Sequence, residues 1–220
     1  MSGDDRSTST PTTASEAVGA LIRARIVHGQ CQPGQRLVEE ELAAELQVSR
    51  TSIREALRVL ASQGFVVVQP YFGTFVKEMS TKEADDLLEL QGALEPLAAG
   101  LAATRRAPHH LIELAAIVAA GHAAAKAERS SETSELHGRF HTLLAEASGN
   151  ESLAEIIVAL RHKIDWVYSS NVLRPLEDSW REHEEIVEAI RRGDSAAAVA
   201  AAQAHIEHGA RARLEVPDRI

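Results

Sequence analysis

Three segments in the first part of the chain repeat apolar side chains every three or four positions, which is the spacing of an amphipathic helix. Only three residues, 47 to 49, separate the second segment from the third. The pattern therefore predicts a single helix followed by a helix-turn-helix. The repeating positions are Val18, Ile22 and Ile26, then Val38, Leu42 and Leu46, and finally Ile53, Leu57 and Leu60.

The third helix has both ends marked in the sequence, and a hairpin is predicted to follow it. Ser49 is a typical N-terminal cap, and Gly64 suits the left-handed residue that ends a helix. Residues 65–69 are apolar and β-prone, a turn with a proline and a glycine comes next, and residues 74–77 supply a second short strand. A helix pair with a glycine-tipped hairpin is the layout of a winged helix.

The rest of the chain is helical in its periodicity, and no segment alternates in the manner of a strand. Prolines and glycines separate the segments by short connections, which favours antiparallel neighbours. Aromatic residues make up only 4% of the chain and alanine is abundant, as in closely packed helices. The six predicted helices lie near residues 82–105, 108–129, 131–148, 151–170, 175–192 and 194–213.

These patterns predict a mainly α protein, with an amino-terminal winged helix-turn-helix and an all-α antiparallel helical bundle. The length of 220 residues leaves room for two modest domains. The polar amino terminus predicts a disordered tail, and the first helix is expected to begin at Ser15. The predicted limits are a tail over 1–14, the winged helix over 15–78, a linker over 79–81, the bundle over 82–213 and a second tail over 214–220.

Charge is unevenly distributed between the two predicted domains. The net charge is −9, yet residues 1–79 carry 8 Lys and Arg against 9 Asp and Glu, while the remainder carries 15 against 23. Within the winged helix, Arg50, Arg54 and Arg58 recur every four residues and form one basic ridge on the third helix. A basic ridge on the second helix of a helix-turn-helix predicts binding to double-stranded DNA.

Several short motifs follow one another over roughly residues 16–77, namely Pro33-Gly34, Leu37, Leu42-Ala43, Val48 to Leu57, Gly64 and Gly73 to Val76. In these motifs the region resembles the winged-helix domain of the GntR transcriptional regulators. The resemblance implies a homodimer that binds an inverted-repeat DNA operator. Some members carry an arginine on the first helix of the motif, where this chain has Glu39-Glu40-Glu41, so that contact is not transferred.

The predicted DNA contacts follow from the position of each residue on the helix or wing. Arg50 and Arg54 are expected to reach base edges or phosphates, whereas Arg58 lies two turns into the helix and nearer to the DNA backbone or solvent. Gly73 is expected to let the wing approach a minor groove. The full predicted set is Ser49, Arg50, Thr51, Ser52, Arg54, Arg58 and Gly73, with the hydroxyl groups on nearby phosphates.

Four of the ten histidines fall on apolar faces of the predicted bundle helices, namely His137, His141, His183 and His205. The first two are four residues apart and therefore project from the same side of one helix. A single histidine in such a place is usually a hydrogen-bonded core residue. Burying four imidazoles is costly unless their nitrogens are satisfied, and a divalent metal does this. The pattern indicates a metal site, with hydrogen-bonded core histidines as the alternative.

The predicted bundle contains a second set of motifs, namely His137 to His141, Gly149-Asn150, Trp180 to Ile186 and His205. In these motifs residues 82–213 resemble the FCD ligand-binding domain, which joins the GntR winged helix in the FadR subfamily, and six helices fit its VanR-like branch. The resemblance implies that the four histidines bind a divalent metal and that an effector lies against it. His137 stands where the family usually has Asp, and nitrogen in place of oxygen favours zinc or nickel.

The resemblance also suggests the class of effector. The family often has an arginine three residues before a Leu-Glu pair, where it can bind a carboxylate, but Leu94-Glu95 is preceded by Gln91 in this chain. Gln91 and Arg139 are the expected effector-binding residues. A carboxylate or a sugar acid is the expected small-molecule effector.

Other features narrow the class of function. No apolar run is long enough to span a membrane, the amino terminus lacks a secretory signal, and the single Cys31 fits the reducing cytoplasm. A metal-dependent hydrolase is disfavoured because no H-E-x-x-H or similar motif occurs. The chain is therefore expected not to be an enzyme. A regulator that senses zinc or nickel directly, with the ion as the signal, stays open as an alternative.

Overall fold

The computed structural model describes residues 13–105, 107–169 and 176–214. The chain divides into two compact units, Met1–Met79 and Ser80–Ile220. The predicted tails lie outside the described residues, except for Thr13 and Ala14 at one end and Leu214 at the other. These three residues cap or continue helices, so helical structure extends slightly beyond the predicted limits at both ends.

In its described part, the first unit packs three helices against a small sheet. The first helix begins at Ala14, because Thr13 and Glu16 form a capping box. Its predicted apolar face is buried and packs against the third helix. The elements are α1 (Ala14–Val27), β1 (Arg36–Leu37), α2 (Glu39–Leu46), α3 (Arg50–Ser62), β2 (Val66–Gln69) and β3 (Gly73–Val76).

Helices α2 and α3 form the predicted helix-turn-helix, and α3 has well-defined ends. The Ser49 side chain accepts a hydrogen bond of 3.0 Å from the Ser52 backbone N–H and caps the first turn. At the other end Gly64 has a left-handed φ of 78°, and the Phe65 N–H donates to the Leu60 carbonyl at 2.9 Å. This is the Schellman arrangement, which turns the chain sharply from α3 into the wing.

The wing contains one strand more than the sequence predicted. The antiparallel sheet has the order β1-β3-β2, with Arg36 opposite Phe75 and Val66 opposite Val76. Strand β1 is only two residues long, so it carries no alternation of apolar and polar positions that would predict a strand. Its presence ties the segment before α2 to the wing.

In its described part, the second unit is the predicted bundle of six helices, and their ends agree with the prediction to within three residues. The largest difference is the end of α5, where Glu128 rather than a glycine adopts a left-handed φ of 55°. The predicted fold class is confirmed. The helices are α4 (Thr81–Arg105), α5 (Pro108–Lys126), α6 (Ser130–Ala147), α7 (Glu151–Ser169), α8 (Leu176–Arg192) and α9 (Ser195–Leu214).

Small residues allow the bundle helices to approach closely around their apolar core residues. A Cβ atom on Gly121 of α5 would lie 2.3 Å from the Trp180 ring of α8, so only glycine leaves room for this fully buried indole. The Trp180 ring in turn lies edge-on to His183, with 4.8 Å between ring centroids. The close packing of α5 and α8 thus helps to fix the position of one candidate ligand. Within the described residues, no helix is both long and apolar enough to cross a membrane.

Candidate nucleic-acid interface and metal centre

Helix α3 presents the predicted arginine ridge to solvent. Its apolar face is buried, including Ile53 and Leu60, which have no exposed surface. Arg50, Arg54 and Arg58 are all exposed on the other side. The helix therefore combines a fixed apolar anchor with three outward guanidinium groups, which is the geometry that a recognition helix needs.

One of these arginines is already paired with a carboxylate of α2. Arg54 Nη2 lies 2.8 Å from Glu39 Oε2, and Arg54 Nε lies 3.2 Å from both Glu39 oxygens. The hydrogen bond from Arg54 lowers the pKa of Glu39, with weaker help from the charges of Arg50 and Arg58. The acidic start of α2 is thus more than a missing DNA contact, because Glu39 pairs with the Arg54 guanidinium.

The hydroxyl groups near the start of α3 are only partly available for phosphates. Ser49 Oγ and Ser52 Oγ lie 2.8 Å apart and hydrogen-bond with each other, in addition to the capping bond. Thr51 is exposed. Capping is therefore the present role of Ser49, and contact with phosphate would require its hydroxyl group to serve two partners.

The wing carries a cation that sequence reasoning missed. A Cβ atom placed on Gly73, whose φ is 113°, would lie 3.2 Å from Arg36 Nε. The Arg36 guanidinium therefore occupies the space that the glycine leaves beside the wing. The only sequence signal was a lone arginine just after Pro33-Gly34, because the β1–β3 pairing that brings Arg36 to the wing was not predicted.

In the bundle, the four predicted histidines converge. His137 and His141 come from α6, His183 from α8 and His205 from α9, and one ligand atom of each lies within 4.8 Å of the others. His141, His183 and His205 are buried, with at most 6% of their surface exposed, whereas His137 is half-buried. This convergence is the point that spacing along the chain could not establish.

A buried carboxylate orients His141. His141 Nδ1 lies 2.8 Å from Glu95 Oε2 of α4, and both side chains are almost fully buried. Burial lowers the pKa of His141 to about 4, so the ring is neutral at neutral pH. Burial also opposes ionisation of Glu95, but the neighbouring His141 and Arg161 outweigh it and hold the pKa of Glu95 at about 2. A neutral ring with Nδ1 beside a carboxylate keeps its proton there and leaves the Nε2 lone pair for another partner.

A second carboxylate, that of Glu182, orients His205. Glu182 of α8 lies 2.8 Å from His205 Nδ1 and 2.7 Å from His208 Nδ1 through its two oxygens. His205 Nε2 then faces His183 Nε2 at 3.2 Å. Burial, followed by the nearby His205, His137 and His141, lowers the pKa of His183 well below its usual range. The lowered pKa values make His141 and His183 neutral at neutral pH, which is the protonation state that binds metal.

The cluster fits a divalent ion on the evidence of its unsatisfied nitrogens. Among the described residues, His141 Nε2 and His183 Nδ1 are buried without a hydrogen-bond partner. Unsatisfied buried polar atoms are rare, and a metal ion bound at His141 Nε2 would give this nitrogen a partner. Imidazole nitrogens backed by carboxylates suit zinc and nickel better than magnesium or calcium.

A buried arginine that sequence reasoning missed lies beside the cluster. Arg161 of α7 donates to Asp165 Oδ1 at 2.6 Å, to Glu95 Oε1 at 3.4 Å and to His137 Nδ1 at 3.5 Å. A guanidinium group can only donate, so His137 Nδ1 accepts this bond. The chain thus has a cation beside the histidine cluster, in the middle of α7, although the arginine expected three residues before Leu94-Glu95 is absent.

The two expected effector-binding residues have different surroundings. Gln91 is buried beside the site, donating to Glu95 Oε1 at 3.1 Å and accepting from the Tyr168 hydroxyl at 3.3 Å. Arg139 is exposed on α6, on the face opposite to His137 and His141. Arg161, rather than Arg139, is therefore the arginine that the fold brings to the histidines.

Comparison with known proteins agrees with this architecture. The model of the FCD domain matches residues 86–208, and the model of the bacterial regulatory proteins of the gntR family matches residues 14–76. The HTH-type transcriptional regulator LutR of Bacillus subtilis (strain 168) is 30% identical over 214 residues, covering 82% of this chain and 92% of LutR. The Uxu operon transcriptional regulator of Escherichia coli (strain K12) is 29% identical over 229 residues, covering 91% and 86%.

Solved structures share the fold at lower sequence identity. Escherichia coli McbR/YncC superposes with a TM-score of 0.80 at 20% identity, covering 92% of this chain and 98% of that one. A GntR regulator from Rhodococcus sp. RHA1 gives a TM-score of 0.76 at 21% identity, covering 92% and 99%. From its two matching domains and its relatives, this chain belongs to the GntR family of bacterial transcriptional regulators that carry a carboxy-terminal FCD domain, and it is a regulator rather than an enzyme.

Proposed function

We propose that the protein is a metabolite-responsive regulator that binds an inverted-repeat operator as a homodimer and receives its effector in a metal-containing helical bundle. The observation that carries this proposal is the convergence of four histidines from three helices, backed by two carboxylates, in a unit joined to a DNA-binding winged helix. The direct test is to purify the protein, determine its metal by elemental analysis, and titrate metal and then candidate acids into its complex with operator DNA.

For the DNA end, we propose that Arg50 and Arg54 contact base edges or phosphates, with Arg58 nearer to the backbone. The pairing of Arg54 with Glu39 supports a further detail. Glu39 restrains Arg54 and adds a negative charge next to the DNA, so it opposes binding to duplexes in which Arg54 finds no base partner.

We expect Glu39→Gln to tighten binding to non-operator duplex about two- to fivefold, because it releases Arg54 and removes an anion that faces phosphate. Fluorescence anisotropy at several salt concentrations measures this change. Glu45→Gln is the matched control, since Glu45 is also on α2 and pairs with Arg25 at 2.8 Å. Equal affinities in the two variants would mean that Glu39 does not restrain DNA binding.

For the bundle, we propose that His141, His183 and His205 hold zinc or nickel most firmly, with His137 as the more exchangeable fourth ligand. His137 is the least buried of the four and accepts a hydrogen bond from Arg161. The ion would supply a Lewis-acid contact for an anionic effector. The effector carboxylate would enter on the side of His137, where Arg161 provides a cation.

Arg161 favours a carboxylate effector over a neutral one. A guanidinium has five N–H donors, and the contacts of Arg161 with described residues use four of them. The remaining donor, together with the long bond to His137, is suited to an incoming carboxylate oxygen. Sugar acids and related carboxylates are the proposed effector class on this ground.

We expect Arg161→Lys to weaken binding of a sugar-acid effector at least about tenfold while one equivalent of metal is retained, because lysine keeps the charge but loses the planar fork. Isothermal titration calorimetry with sugar acids and their neutral sugar alcohols measures the preference. Arg139→Lys, on the exposed face of α6, is the control and should bind like the wild type. An unchanged acid preference in Arg161→Lys would remove Arg161 from the effector site.

Direct sensing of zinc or nickel is the second candidate, because the same histidines could report the ion itself. The two candidates differ in one measurement. If metal alone changes the affinity for operator and acids add nothing, the ion is the signal. If metal-loaded protein responds only to an acid, the ion is a fixed part of the effector site.

A further inference from the structure

Two aromatic side chains at the tip of the wing have no part in the DNA contacts proposed above. Tyr71 is fully exposed and Phe72 is 69% exposed, and both lie in the turn between β2 and β3. The inward side chains of the hairpin, Val66 and Val76, are buried. The two rings therefore contribute almost nothing to the core. Exposed aromatic surface of this kind often marks a site that a binding partner covers.

The turn also holds Tyr71 in a backbone conformation that side chains rarely adopt. The Phe72 N–H donates to the Gln69 carbonyl at 3.1 Å and closes a four-residue turn. Tyr71 has a φ of 67° at the third position of this turn, where glycine is usual. A tyrosine there is strained, and backbone strain of this kind is often retained at functional sites.

The surroundings of the rings indicate the kind of partner. No Asp or Glu occurs between residues 56 and 77, and the Arg36 guanidinium lies against Gly73 at the base of the turn. Exposed rings beside cations fit nucleic acid, whose bases offer flat apolar faces and whose phosphates are negative. Three residues separate α3 from β2 within one compact unit, so the wing meets DNA next to the recognition helix.

We propose that Tyr71 and Phe72 form an apolar wedge that enters the minor groove beside the bases contacted by α3 and partly unstacks one base step. Arg36, at the base of the turn, neutralises the phosphates at the edge of the groove. Wedges of this kind bend the duplex towards the major groove, and pyrimidine–purine steps open most easily. The wing thereby adds a preference for a deformable step at a fixed distance from the bases that Arg50 and Arg54 contact.

The test uses the full-length protein and an operator selected by the wild type from a pool of random duplexes. The fluorescent base 2-aminopurine is placed in turn at each flanking position, since its emission rises when it unstacks. The wild type should raise the emission at one step. Tyr71→Ala and Phe72→Ala should each weaken operator binding about tenfold and abolish the rise. Val68→Ala, which shortens an exposed side chain on β2, should do neither.

Tyr71→Gly separates the wedge from a structural role of the wing. Glycine relieves the positive φ, so the variant should melt at the same temperature as the wild type or higher, yet bind operator as weakly as Tyr71→Ala. Wild-type affinity in the wing variants, or an emission rise that survives them, overturns the wedge. The DNA-binding role of α3 is tested separately. It would be contradicted only if Arg54→Ala also left operator binding unchanged.

Discussion

Replacing His183 with alanine is expected to strip the proposed divalent ion from the protein, and His141→Ala is expected to do the same. Both rings are buried and converge on the same small volume, so each variant removes a ligand that no solvent-exposed group can replace. Loss of a residue that merely orients a ligand typically costs 10- to 100-fold in metal affinity, so loss of the ligand itself should exceed about 100-fold. Elemental analysis after dialysis, with chelator competition, measures the loss.

The control variants for metal binding should lose different amounts of metal affinity. His109→Ala, an exposed histidine of α5 in the same unit, should retain a full equivalent. His137→Ala should retain the ion with a smaller loss of affinity, because His137 is the least buried of the four. Glu182→Gln should fall between these limits, since it disturbs the orientation of His205 without removing a ligand. A full equivalent retained in His183→Ala would leave the cluster as hydrogen-bonded core histidines.

Replacing Arg54 with alanine is expected to weaken binding to the selected operator by about 10- to 100-fold at matched salt, because an arginine on the recognition helix contributes most where it meets a base edge. Arg54 is exposed at mid-helix, and Glu39 holds its guanidinium in place. Fluorescence anisotropy with operator and scrambled duplex measures both affinities. The loss should be larger on operator than on the scrambled duplex.

The control for Arg54→Ala is a variant that loses the same positive charge at a position outside the proposed DNA interface. Arg129→Ala removes an arginine from the start of α6, where it pairs with Glu132 at 2.6 Å. Its operator affinity should match the wild type. Arg58→Ala should lie between the two and should lower the salt dependence without changing the preference for operator. If Arg54→Ala bound operator like Arg129→Ala, α3 would not be the recognition helix.

The helix-turn-helix and the six bundle helices were predictable because their signals are local. Ser49 and Gly64 act within one turn of their own position, and the apolar repeat of α3 depends only on helical geometry. Strand β1 was missed because a two-residue strand is defined by its partner β3 and not by its own sequence. The end of α5 was misplaced because Glu128 adopts a conformation for which glycine is the usual signal.

The histidines were predictable as candidates, but their supporting residues were not. Each of the four lies on an apolar helix face, which is visible in the sequence. Glu95, Glu182 and Arg161 belong to α4, α8 and α7, and they contact the histidines only because these helices pack together. A single Glu or Arg in an amphipathic helix looks like part of a solvated face, so the sequence did not indicate that these residues contact the histidines.

The same distinction applies to the whole protein. The sequence by itself determined the two domains, the basic ridge of α3 and the four histidines, because periodicity, caps and spacing act over a few residues. Only the tertiary structure decided that Glu39 pairs with Arg54, that Arg36 reaches the wing and that Arg161 approaches His137. These contacts join residues 15 or more positions apart, and their geometry depends on how whole helices and strands pack.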